Sequence, residues 1–374
     1  MKPFPKPIYV TRSLLPSLTS YNQKLKAIWK SKWLSNNGVQ LQSLEKNIQK
    51  MLKVPYVSLF NNGTIALLTA IKSLDLKGEV ITTPFTFPAT PNVLSWLNIA
   101  PVFCDIDPVT MNIDPNKIEK SITKKTTAIL GVHVFGTPCN VHKIQKIAKK
   151  NDLKVIYDAA HAFECEINDI GIGNFGDVSM FSFHPTKLFH TGEGGGLTSK
   201  NKLLKQKIDL LRNFGIKNEE EVVIPGINGK LNEIQAALGL VLLPHLKTER
   251  KNRKLISKIY KQYLDNTEGI TYLDDIPNVK KSYQYFVIRI NKKIFGRSRD
   301  EVYKILRNYN IFARKYFFPL CSQYPYYKNL PSSKQINLPV AHRVVNEVLA
   351  LPFYGKLSKN DAEKIIKLIT SLKK

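Results

Sequence analysis

The chain has 374 residues, 43% hydrophobic and 10% aromatic, enough to bury a large core and to build one big domain with a smaller one beside it. Four cysteines without paired spacing exclude a disulfide framework and fit buried thiols in a reducing compartment, and with no long apolar run and no apolar core of a signal peptide in MKPFPKPIYVTRSLLP, a cytosolic protein is expected. The net charge of +27 comes from lysines spread along polar helix faces, as in KIQKIAKKNDLK, which argues against nucleic acid as a partner and leaves the attraction of an anionic small substrate, while the lack of a long apolar run argues against a membrane partner.

In chain order, KLKAIWKSKWLSNNGVQLQSLEKNIQKMLKV predicts two helices around a polar turn at Ser35 to Gly38. YVSLFNNGTIALLTAIKSL predicts a strand from Tyr56 to Phe60, a turn, and an apolar-periodic helix from Thr64. EVITTP is then a strand, TPNVLSWLNI a helix, PVFCDI and KTTAILGVHVFG strands, VHKIQKIAKKN a helix and LKVIYDAA a strand. Strands alternating with helices predict an α/β protein with a mostly parallel sheet covered on both faces. After Gly196 come a helix near Lys202 to Asn213, the loop EEEVVIPGINGK, and a long helix interrupted at Pro244. SYQYFVIRI, SRDEVYKILRNYN and a closing helix from Ser358 predict a small α+β domain, so the expected division is 1–244 and 245–374.

Three motifs carry less than their patterns suggest. GIGNFG has dinucleotide-binding spacing, but polar ECEIND precedes it and strand-like DVSMFSF follows, so it reads as a turn. His133, Cys139 and His142 lack the tight paired spacings of a structural zinc site, and no metal is expected. Nothing near Cys165 in the sequence marks it as a nucleophile.

NNGTIAL is stronger: Asn62, Gly63 and Thr64 form the turn into a helix, where free N–H groups and the positive dipole end hold a phosphate. In SFHPTK, Ser182 and His184 end another strand and offer donors to the same phosphate, with Lys187 close behind. Asp158 stands at the carboxyl end of LKVIYD, where ligands sit in such sheets. A helix start, a hydroxyl, an amine and an acid together suit pyridoxal 5'-phosphate, Lys187 forming the Schiff base and Asp158 pairing with the ring nitrogen.

These segments resemble the DegT/DnrJ/EryC1/StrS sugar aminotransferases, and the likeness covers nearly the whole chain. The resemblance implies the aspartate-aminotransferase fold (type I), a pyridoxal phosphate enzyme, with Phe87 of TPFTFPAT stacked on the pyridine ring. In YDAAHAF, His161 stands where many members have glutamine beside the cofactor's phenolic oxygen, and His184 stands where others have tyrosine or phenylalanine. PGINGKLNEIQAALG resembles the segment whose asparagine, here Asn228, reaches the phosphate of the neighbouring subunit, which implies a homodimer with shared active sites; many relatives have an aromatic and an arginine where Gly229 and Lys230 stand. The histidine of YDAAHAF, the NGKLNE form and the FHTGEGG ending look most like the branch that aminates nucleotide-linked 4-keto-6-deoxyhexoses. The implied reaction moves the amine of L-glutamate, through the cofactor, to C4 of a dTDP-linked sugar, giving dTDP-4-amino-4,6-dideoxyglucose. Lys187 is then also the proton-transfer base, and Glu193, Arg314 and Tyr316 are expected to meet substrate. Lys187 excludes the dehydratases of this fold, which carry histidine there. The alternatives are amination of a 3-keto sugar and a non-catalytic regulatory or nucleic-acid-binding protein.

Overall fold

The computed structural model describes residues 2–374. A short strand β1 (Ile8–Tyr9) precedes two helices, α1 (Leu18–Ser31) and α2 (Val39–Leu52). The alternating region then runs β2 (Tyr56–Phe60), α3 (Gly63–Ser73), β3 (Glu79–Thr82), α4 (Ala89–Trp96), β4 (Ala100–Phe103), α5 (Pro115–Ile118), β5 (Thr126–Val132), α6 (Val141–Lys150) and β6 (Lys154–Asp158). The hairpin β7 (Glu166–Ile167) and β8 (Ile170–Gly171) leads into β9 (Val178–Ser182), β10 (Gly195–Ser199) and α7 (Lys202–Leu211). Asparagine side chains cap several of these helices, Asn62 for α3, Asn140 for α6 and Asn201 for α7, each satisfying a backbone N–H that the first turn leaves free.

The central sheet has the order β2-β10-β9-β6-β5-β3-β4. All pairings are parallel except those of β10, which runs antiparallel to both β2 and β9. The sheet is therefore mostly parallel, as the alternation predicted, with helices on both faces. Leu44 and Ile48 of α2 and Ile144 and Ile147 of α6 pack in one core, while Ala66, Leu67, Ala70 and Ile71 of α3 and Leu94 of α4 pack in another. The GIGNFG segment forms a 3-10 turn between β8 and β9, not the start of a dinucleotide-binding helix.

Pro244 sits in a 3-10 turn, Leu243–His245, between α8 (Glu233–Leu242) and α9 (Leu246–Leu264), where its missing N–H breaks the ladder. Beyond it come β11 (Ile270–Tyr272), β12 (Val279–Lys280), β13 (Phe286–Ile290), α10 (Lys292–Phe295), α11 (Arg299–Asn308), β14 (Ile311–Phe312), α12 (Pro339–Val344), β15 (Val348–Leu351) and α13 (Lys359–Thr370). β11, β13 and β15 form an antiparallel sheet, packed with α9 and α13 around Tyr260, Phe286, Ile365 and Ile366. The N-terminus joins this layer: β1 pairs in parallel with β14, and Phe4 and Ile8 lie in the same core. A further core, with Phe85 and Phe135 from the central-sheet side and Phe317, Leu320 and Val348 from the C-terminal side, joins the layers above the site. Among the described residues, no helix is long and apolar enough to cross a membrane.

Candidate active site

The strands parallel to one another all end at one edge of the central sheet, and a cavity of about 660 Å3 opens there. At the end of β2 the chain turns into α3. Asn62 accepts from the Ile65 N–H at 2.8 Å, which leaves the N–H groups of Gly63 and Thr64 without an intrahelical partner beside the cavity. Two glycines make this turn possible. A Cβ on Gly63 would lie 3.2 Å from Ser182 Cβ, and one on Gly195 would lie 2.6 Å from the Asn62 carbonyl oxygen. The helix start is thus pressed against the strand that carries Ser182.

Asp158 ends β6, and its carboxylate is almost fully buried. One oxygen accepts from the Ala160 N–H at 3.0 Å and the other from the Thr90 hydroxyl at 2.9 Å. Burial raises its pKa, while these two donors and the Lys187 charge act in the opposite direction. His161, three residues on, lies nearly parallel to the Phe317 ring at 5.9 Å and edge-on to Tyr285 at 5.1 Å. Burial, and then the neighbouring Lys187 charge, hold the imidazole well below its ordinary pKa, so the ring is neutral. Its Nδ1 is buried without a hydrogen-bond partner among the described residues.

Lys187 lies in the turn after β9, where its N–H donates to the His184 carbonyl. Buried Gln284 clamps that turn from the other layer, accepting from the Leu188 N–H at 2.7 Å and donating to the Thr186 carbonyl at 3.0 Å. Burial pulls the Lys187 ammonium down to about 8, against the pull of Tyr316 and Asp158. Phe87 lines the same cavity with 58% of its surface exposed.

The opposite wall is aromatic and basic. Tyr285 and Tyr316 meet at 5.4 Å between ring centroids, the Arg314 guanidinium lies 5.5 Å from the Tyr316 ring, and Phe317 completes the face. His184 and Glu193 stand at the exposed margin. The His184 ring is held between the Thr186 hydroxyl at 2.9 Å and Glu193 at 3.7 Å, so its nitrogens face the loop rather than the α3 turn.

Every site residue expected from the sequence lines this one cavity except Asn228. Asn228 is exposed on the loop before α8, where its carbonyl accepts from Asn61 Nδ2 at 3.5 Å; Asn61 itself is in the lining. Sequence reasoning passed over Thr86, Thr90, Tyr285 and Phe317. The two threonines stood in the quoted TPFTFPAT, where a hydroxyl one helical turn beyond another was the available signal, whereas Tyr285 and Phe317 come from distant segments without one. The histidine and cysteine group around residue 133 is part of the core. His133 stacks on Tyr157 at 4.6 Å and accepts from the Cys139 N–H at 3.0 Å, and burial takes its pKa to about 3. Cys165 is a buried thiol pushed up to about 12.

A mostly parallel sheet with an amine, a buried acid and a free helix start converging beyond its carboxyl edge is the architecture of an α/β enzyme. The chain belongs to the DegT/DnrJ/EryC1/StrS aminotransferase family, whose profile matches residues 19–370, and it is an aminotransferase. It is 46% identical over 367 residues to a dTDP-4-amino-4,6-dideoxy-D-glucose transaminase of Escherichia coli, covering 97% of this chain and 98% of that one. A transaminase of the same name from Shigella dysenteriae is 44% identical, covering 98% and 100%. Among solved structures, DesI in the presence of its TDP-sugar product superposes with a TM-score of 0.94 at 30% identity, covering 99% of this chain and 94% of that one. The motif resemblance and the expected aspartate-aminotransferase fold both hold.

Proposed function

We propose that the chain is a pyridoxal phosphate-dependent aminotransferase that carries the amino group of L-glutamate to C4 of a dTDP-linked 4-keto-6-deoxyhexose, giving dTDP-4-amino-4,6-dideoxyglucose. The observation that carries the reading is the convergence of Lys187, Asp158 and the α3 start in one cavity; the names of the two transaminases at 46% and 44% identity support the choice of sugar.

The residues present fit the cofactor. The N–H groups of Gly63 and Thr64 and the Ser182 hydroxyl suit its phosphate, and the buried Asp158 carboxylate suits a protonated ring nitrogen. The unpartnered His161 Nδ1 suits the phenolic oxygen, and the open Phe87 ring offers a face for stacking. When bound, pyridoxal phosphate supplies an electron sink for charge on the carbon next to the reacting nitrogen.

Lys187 is the base of both half-reactions. Its Nζ takes the proton from the glutamate Cα in the first and delivers one to the sugar C4 in the second. Desolvation suits it to this work, because an amine titrating near 8 exchanges protons readily around neutral pH. Arg314, exposed and backed by Tyr316, binds the diphosphate from the mouth. Glu193, beside His184, orients the sugar. In this reading residues 1–244 carry the chemistry and 245–374 the recognition wall. Two copies form a dimer in which the exposed Asn228 of each reaches the phosphate site of the other.

The test is incubation of the cofactor-loaded protein with L-glutamate and the 4-keto or 3-keto dTDP-6-deoxyhexose, the amine position being fixed by NMR. C4 amination with a higher kcat/KM for the 4-keto isomer is expected. A preference for the 3-keto isomer beyond about tenfold, roughly 1.4 kcal/mol, overturns the C4 assignment.

A further inference from the structure

Asp158 does not stand alone at the end of β6. Its second carboxylate oxygen accepts from Thr90 Oγ1 at 2.9 Å, and Thr90 Oγ1 lies 2.8 Å from Thr86 Oγ1. Thr86 and Thr90 are both buried, one in the turn before α4 and the other in its first turn. With Asp158 ionised, the protons in this row have only one consistent direction. An ionised carboxylate can only accept, so Thr90 spends its single proton on Asp158, and the remaining contact requires Thr86 to donate to Thr90. Each donor polarises the next, and both dipoles point at the carboxylate. The turn that carries Thr86 is itself fixed from the C-terminal layer, where Cys321 donates its N–H to the Pro84 carbonyl at 3.0 Å and its thiol to the Thr86 carbonyl at 3.2 Å.

We propose that Thr90, backed by Thr86, is a positioning residue for the transfer reaction: the two hydroxyls fix the Asp158 carboxylate in one orientation and keep it ionised toward the ring nitrogen of the cofactor. The inference rests on the pyridoxal phosphate reading above. The other titratable groups around Asp158 do not replace this role. Lys187, after β9, is cationic but is the reacting amine; His161, after β6, is neutral; Cys139, after β5, is a thiol kept protonated by burial.

Thr90→Val keeps the shape and removes the donor, Thr90→Ser keeps the donor, and Thr86→Val removes only the second hydroxyl. In Thr90→Val, kcat should fall about tenfold, equivalent to roughly 1.4 kcal/mol, with KM within about twofold. A less charged ring nitrogen withdraws less from the Lys187 nitrogen, which then keeps its proton to higher pH. The pH midpoint of the visible absorbance of the cofactor-loaded protein should therefore rise by about half a unit or more. Thr90→Ser should restore both readouts, and Thr86→Val should shift the midpoint in the same direction by less. The proposal is overturned if Thr90→Val keeps the wild-type midpoint, or if Thr90→Ser is as impaired as Thr90→Val, since methyl packing would then explain the loss. Should Thr90→Val fail to fold, an unshifted midpoint in Thr86→Val overturns it equally. Asp158→Asn separates the two levels: near-normal kcat and absorbance there bring down the cofactor reading itself, whereas an impaired Asp158→Asn beside an unaffected Thr90→Val brings down the threonine pair alone.

Discussion

The floor and the wall of the cavity are built by different physics. The floor, with Gly63, Thr64, Asp158, Ser182 and Lys187, sits on strand ends and a helix start, and its polar atoms are set by sheet register and part-buried hydrogen bonds of 2.8 and 3.0 Å. The wall, with Tyr285, Arg314, Tyr316 and Phe317, is held by stacked rings, Phe317 lying 5.5 Å from Phe135 and almost parallel to it, and it ends in an exposed guanidinium. A floor ordered in this way suits the narrow tolerances that catalysis demands, whereas a wall of largely covered rings ending in an exposed guanidinium suits gripping and releasing a large anion. Substitutions in the floor should therefore act on kcat, and substitutions in the wall on KM.

The largest effect is expected in the floor. Lys187→Ala should lower kcat by about 10^4-fold or more and abolish the visible absorbance of cofactor-loaded protein, because among the described residues no other amine lines the cavity. A variant within about tenfold of wild type in a glutamate half-reaction assay contradicts the assignment. Asp158→Asn should retain cofactor yet be slowed about 10^3-fold, since a neutral amide does not favour a protonated ring nitrogen.

The proposed shared site would add a third component to the comparison, a piece of floor lent by a second copy. Lys187→Ala and Asn228→Ala, each inactive alone, should complement when mixed. Random pairing makes about half of the dimers mixed, and each mixed dimer has one intact site of two, so roughly a quarter of wild-type activity returns. Absence of rescue after verified subunit exchange rules out the borrowed asparagine.

The floor was legible in the sequence because its residues are local to elements that announce themselves. Asp158 follows an apolar strand, Asn62 to Thr64 separate a strand from an apolar-periodic helix, and Lys187 follows the next strand by a few residues. The wall was only half legible. Arg314 and Tyr316 were drawn from a basic aromatic run, but Tyr285 is brought in by contacts between segments about a hundred residues apart, such as the clamp between Gln284 and the Lys187 turn. Two fold features were invisible for related reasons. β10 begins with Gly195 and Gly196, which carry no side chains to signal a strand; Gly195 is required by the close approach of the α3 turn, and Gly196 packs against the Phe183 ring. β1 pairs with β14 across some three hundred residues, a partnership that two residues cannot encode locally.

In the wall, Arg314→Ala should raise KM for the nucleotide sugar by about 10- to 30-fold while kcat stays within about threefold, the loss expected of a charged contact made equally in ground and transition states. Comparable losses in kcat and kcat/KM would move Arg314 from recognition to chemistry and erase the proposed division between the two surfaces.

The smallest effect concerns stability, and it again separates floor from wall. Lys187 titrates near 8 in the folded protein against 10.5 ordinarily, because burial disfavours its charge. Below pH 8 both states carry the proton, and the folded protein bears the full cost of a desolvated ammonium. Between about pH 8 and 10.5 the unfolded chain keeps a proton that the folded one has released, so this group's contribution to stability rises with pH across that window. Lys187→Met, an uncharged chain of similar reach, removes the cost at every pH. Cofactor-free wild type should therefore melt a few degrees, about 2 to 5 °C, below Lys187→Met at pH 7, and the gap should narrow as pH rises toward 10. Arg314→Met, at an exposed position outside the floor, should show no such convergence. Comparing each variant with wild type at the same pH cancels the other lysines and tyrosines that titrate there. A gap between wild type and Lys187→Met that is unchanged from pH 7 to 10 would show that the amine is not held in the desolvated state on which its role as base depends.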